Sequence, residues 1–68
     1  MTTANQIKRI WEKNPDSVIK SFTIALASFG YTLTSDYVEG EIRRLYAGGK
    51  PKGGPSMFID GWLKNGLD

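Results

Sequence analysis

Between Asp16 and Asp36 the chain carries one charged residue, Lys20, and the run over 17–29, SVIKSFTIALASF, is too apolar to lie on a surface. On a helical wheel Val18, Phe22, Ala25, Leu26 and Phe29 fall within an arc of about 100°, with Ile19 at its edge, the pattern of a helix buried along one face. Ile24 lies roughly opposite, so neighbours are expected on two sides of this helix. Burying its larger apolar side chains supplies roughly 1.5 to 3 kcal/mol each before conformational entropy is set against it. Whatever else the chain forms must wrap this segment.

The flanking sequence marks out three further helices. Thr3 followed by Gln6 has the spacing of a capping box, and Ile7, Ile10 and Trp11 follow at helical spacing, which predicts a first helix over 4–13. Pro15 disfavours helical dihedrals at Asn14 yet suits a first helical position, so the central helix is expected over 15–29, with Asp16 near its positive end and paired to Lys20 one turn on. Gly30 stops it, because glycine adopts the left-handed conformation cheaply. Thr34 is the expected N-cap of a third helix over 35–47, stapled by Leu33 and Val38, with Ile42, Leu45 and Tyr46 also facing inward.

Four glycines and two prolines in the nine residues GGKPKGGPS forbid regular structure, so 48–54 is expected to be a flexible loop. Pro55 then opens a fourth helix over 55–66, capped by Gly54 or Ser56. Its apolar residues Phe58, Ile59, Trp62, Leu63 and Leu67 cover about half the wheel, more than one neighbour requires. Gly61 and Gly66 each weaken this helix by roughly 1 kcal/mol relative to alanine, so tertiary contact must hold it, and Gly66 would admit a neighbouring backbone. The expected fold is therefore all-α, one small domain over 1–68 with four short helices packed around the second. The alternative is a winged-helix-like arrangement with a small β-wing at the glycine and lysine loop.

Composition narrows the function. With neither His nor Cys among 68 residues, imidazole and thiolate zinc sites, thiol nucleophiles and Ser-His triads are excluded, and no enzymatic activity, cofactor, metal or small-molecule substrate is expected. Asp36 and Glu39 stand in a first helical turn, where the dipole favours acids. Glu39 with Arg43 and Glu41 with Arg44 have surface-pair spacing. Absence of Cys fits a reducing compartment, and neither a signal sequence nor a membrane span is seen, so a cytoplasmic location is expected.

A formal charge of +2 is too small to name nucleic acid as the partner. Lys50, Lys52 and Ser56, running into a helix N-terminus, together with Lys64, are the candidate phosphate contacts, although the loop lacks the Gly-Lys-Ser/Thr spacing of a phosphate-binding loop. Against a helix-turn-helix reading, residues 31–47 set Arg43 and Arg44 against Asp36, Glu39 and Glu41, and the end that would enter the groove is acidic. The leading expectation is a non-enzymatic helical protein–protein interaction module, with self-association as one form of it, using the third and fourth helices around Tyr46, Phe58 and Trp62. The alternative is a small DNA- or RNA-binding protein using the basic loop.

Overall fold

The computed structural model, which describes residues 1–67, contains four helices: α1 (Ala4–Lys13), α2 (Pro15–Ser28), α3 (Ser35–Tyr46) and α4 (Pro55–Asn65). Each begins and ends for a local reason. At α1 the Thr3 hydroxyl accepts from the Gln6 N–H at 3.2 Å and the Thr3 N–H donates to the Gln6 side chain at 2.9 Å, completing the expected capping box. The only residue between α1 and α2 is Asn14, so Pro15 turns the chain through a sharp corner. Gly30, at φ +92°, closes α2: its N–H donates to the Ala27 carbonyl and that of Tyr31 to the Leu26 carbonyl, both at 3.0 Å. Thr34 caps α3 through the Tyr37 N–H at 3.1 Å.

The backbones of α2 and α4 each approach all three other helices, while α1 and α3 lie diagonally across the bundle and meet through the long side chains of Trp11, Arg43 and Tyr46. Val18, Ile19, Phe22 and Leu26 from α2 meet Ile7 of α1, Val38 and Ile42 of α3 and Ile59 of α4 in one core. The Cα radius of gyration, 10.6 Å, is close to the roughly 11 Å expected for a folded chain of this length. The segment 48–54 is turn and coil, so no β-wing forms, and the one bridge among the described residues joins the two ends of the chain, with Thr2 and Leu67 exchanging backbone hydrogen bonds at 2.8 Å.

Two residues expected on α2 depart from the wheel. Ile24 is 62% exposed, at an open groove toward the first turn of α3, so the second neighbour expected there does not cover it. Phe29, the C-cap residue just past Ser28, is 58% exposed, and its ring stacks on Phe58 instead of joining the core. Leu67 lies beyond the end of α4, where it pairs with Thr2 and packs against the core from the terminal segment.

The two glycines of the fourth segment are opposite cases. Gly66 adopts φ +95°, and a methyl group there would overlap the Thr2 carbonyl, so this glycine admits the N-terminal segment. At Gly61 the backbone is helical and a methyl group would meet nothing within 4 Å. Gly66→Ala is expected to lower stability by about 2 kcal/mol or more, and Gly61→Ala to raise it by about 1 kcal/mol, in urea melts of the two variants.

Candidate functional site

The loop before α4 is organised from beneath by a carboxylate. Glu41 points inward from α3 and is only 7% exposed. Its Oε1 accepts from the Ser56 hydroxyl at 2.7 Å and from Arg44 Nη2 at 2.8 Å, and its Oε2 accepts from Arg44 Nε at 3.2 Å. Arg44 Nη1 reaches on to the Lys50 carbonyl at 2.7 Å, and the Lys52 N–H donates to the Ser56 hydroxyl oxygen at 3.1 Å. Gly49 lies against Arg44 so closely that a Cβ would stand 2.9 Å from the side chain. The segment expected to be flexible is thus stitched to α3 and to the first turn of α4. Of the Glu41–Arg44 pair, expected on the surface, the carboxylate is buried while the Arg44 side chain stays about a third exposed.

The bidentate Arg44 guanidinium lowers the Glu41 carboxyl from its ordinary 4.5 to about 2, against the opposing effect of burial; the Ser56 hydroxyl and the Lys52 charge add to the lowering. A depressed carboxyl contributes its full stabilisation above the ordinary range and loses it as pH falls toward 2. Thermal melts should therefore show a Glu41-dependent loss of stability between about pH 4.5 and 2. At neutral pH Glu41→Ala, which strands Ser56 and Arg44, should cost about 2 to 3 kcal/mol.

This arrangement bears on the four candidate phosphate contacts. Ser56 is fully buried and its hydroxyl is committed to Glu41, so the anion beside the start of α4 belongs to the protein. Lys64 pairs with Asp60 at 3.1 Å in the last turn of α4, remote from the loop. Lys50 and Lys52 are exposed and in no ion pair among the described residues, where the pairs are Arg43–Glu39, Arg44–Glu41 and Lys64–Asp60. Asp16 and Lys20 therefore do not form the pair expected from their spacing. No group of three or more carboxylates gathers as a metal-ligand cluster among the described residues, and no helix there is long and apolar enough to cross a membrane.

The aromatic candidates divide between two places. Tyr46 turns toward α1, its ring 6.1 Å from that of Trp11, while the Arg43 guanidinium lies 5.4 Å over the Trp11 ring. The Tyr46 hydroxyl is buried without a hydrogen-bond partner among the described residues, and burial, with Glu12 nearby, raises its pKa. Removing that oxygen relieves an uncompensated desolvation, so Tyr46→Phe should leave stability unchanged or raise it by about 1 kcal/mol in chemical denaturation. Phe58 and Trp62 belong elsewhere. Trp62 packs on Phe22 at 5.1 Å and on Phe58 at 6.0 Å, and Phe58 in turn stacks on Phe29 at 4.8 Å and meets Tyr31 at 5.8 Å.

An open groove runs between the C-terminal end of α2 and α4, walled by Phe29, Met57, Phe58 and Trp62, with Gly61 and Asn65 on the α4 side. Met57 is 54% exposed. Two of its residues escaped the sequence reading. The wheel puts Phe29 on the buried arc, although its place directly before the stop at Gly30 is a signal that it caps the helix. Met57 carries no signal beyond lying outside the apolar arc of α4. Comparison with protein-family models, curated proteins and solved structures gives no match to the chain.

Proposed function

We propose that the protein is a non-enzymatic interaction module that binds a protein partner in the groove between the end of α2 and α4. The observation that carries this reading is the clustering of exposed Phe29 and Met57 with half-buried Phe58 and Trp62 along one groove. Large apolar side chains held at a surface by stacked aromatic neighbours are the usual anchors of protein interfaces, since they are desolvated at little loss of side-chain freedom. Gly61 supports the same reading. A mid-helix glycine with open space around it weakens α4 and serves no packing inside the chain, while it leaves backbone accessible to a close-fitting partner.

The remaining polar side chains fit a scaffolding role better than chemistry. Glu39, Glu41 and Asp60 are each held by a neighbouring cation, and Glu41 fastens the loop that sets the start of α4. Of the three residues the sequence offers for partner binding, Phe58 and Trp62 line this groove and Tyr46 packs on Trp11 between α3 and α1.

Photo-crosslinking in living cells tests the proposal. A photoreactive residue at position 57 or 29 should give a discrete adduct, one at exposed Lys8 should give none, and Phe29→Asp should abolish the adduct at 57. Equal labelling at all three positions would contradict it.

A further inference from the structure

A second recess opens between α1 and α2, sharing only Leu67 with the groove between α2 and α4. It exists because of what α2 presents to α1. Beside Val18 and Phe22, which enter the core, stand Ser17 and Ser21, one turn apart, and these short side chains leave a cavity of about 70 Å³ against Ile7 and Ile10. The paired chain ends complete it, since Thr2 and Leu67 both belong to its lining. Such a volume holds several waters, or a few carbons of an alkyl chain.

Floor and mouth differ in character. Ile7, Val18 and Phe22 are buried and make the floor apolar, while the serines lie on the exposed side of the lining. Thr2 and Ile10 also line a wider depression along α1, with Met1, Gln6 and Arg9, so the two recesses meet at those residues. Arg9 is the only charged side chain that lines either of them. It is exposed and takes part in no ion pair among the described residues. One end of the cleft thus favours hydrocarbon and the other an anion.

We infer that this cleft binds a short-chain aliphatic carboxylate, with its tail over Ile7, Val18 and Phe22 and its head at Arg9. A guanidinium offers a carboxylate paired donors, and the methylenes taken out of water supply most of the affinity. The C-terminal residue of a protein carries the same chemistry, a carboxylate on a small apolar body. The size of the cavity favours the free acid, which brings no polypeptide with it.

Titration with hexanoate, followed by ¹H–¹⁵N NMR, tests the inference. Amide shifts should gather at residues 2, 7–10 and 17–22, with a dissociation constant of about 1 mM. Uncharged 1-hexanol should bind about threefold more weakly and hexylamine more weakly still, and added salt should narrow these differences. Arg9→Gln, at an exposed position and with an unchanged thermal melt, should bring hexanoate down to the affinity of hexanol. Ser21→Leu should fill the cavity and abolish hexanoate binding. Shifts gathered at Phe29 and Met57 instead, hexylamine binding as well as hexanoate, or an Arg9→Gln variant with undiminished affinity for hexanoate would overturn the inference. An N-acetylated dipeptide ending in leucine that shifts the same amides about tenfold more tightly than hexanoate would overturn the free acid in favour of a protein C-terminus.

Discussion

The fold depends on one buried carboxylate. Glu41 leaves α3 toward the interior, and a carboxylate there is tolerated only because a guanidinium and a hydroxyl meet it. Those two partners come from different parts of the chain. Arg44 lies one turn along the same helix and extends to the loop backbone at Lys50, while Ser56 belongs to the first turn of α4. A single charge thereby fixes the C-terminal half of α3, the course of a loop rich in glycine, and the point at which the last helix begins.

That fixing matters because α4 has little claim to helicity of its own. It begins at a glycine that offers no side-chain cap, carries Gly61 within it, and ends at Gly66 against the N-terminal segment. What holds it is tertiary: Ile59 in the core, Trp62 on Phe22, the Ser56 hydroxyl on Glu41, and the Thr2–Leu67 bridge that ties the chain ends together. The same packing that secures the inner side of α4 leaves its outer flank apolar and open beside Phe29. The groove is a by-product of how the helix is held.

Much of this was readable in the sequence where local chemistry acts alone. Thr3 with Gln6, Pro15, Gly30 and Thr34 delimit three helices through backbone hydrogen bonds within a few residues, and the apolar run from Val18 to Leu26 finds the core. Legibility failed where a side chain answers to a distant partner. Glu41 sits at the margin of the inward arc of α3, about 40° from Leu45 on the wheel, but its spacing from Arg44 equally describes a surface pair. Only the hydroxyl of Ser56, fifteen positions on, makes it an interior group. Phe29 and Ile24 misled for a related reason: periodicity assigns a direction from the axis, whereas burial also needs a neighbour on that side and a helix that continues so far. The union of the termini has no local signature beyond the permissive Gly66.

Native-state hydrogen exchange tests most directly whether a weak helix is made part of the core by its contacts. The amides of 59–63 in α4 should exchange through the same opening as those of 22–26 in α2, with equal free energy and equal denaturant dependence, as a single cooperative unit requires. If the α4 amides exchange through a separate opening of lower free energy while α2 stays protected, the last helix is not held by the carboxylate and the aromatic contacts assigned to it, and the groove it walls is not a standing feature of the protein.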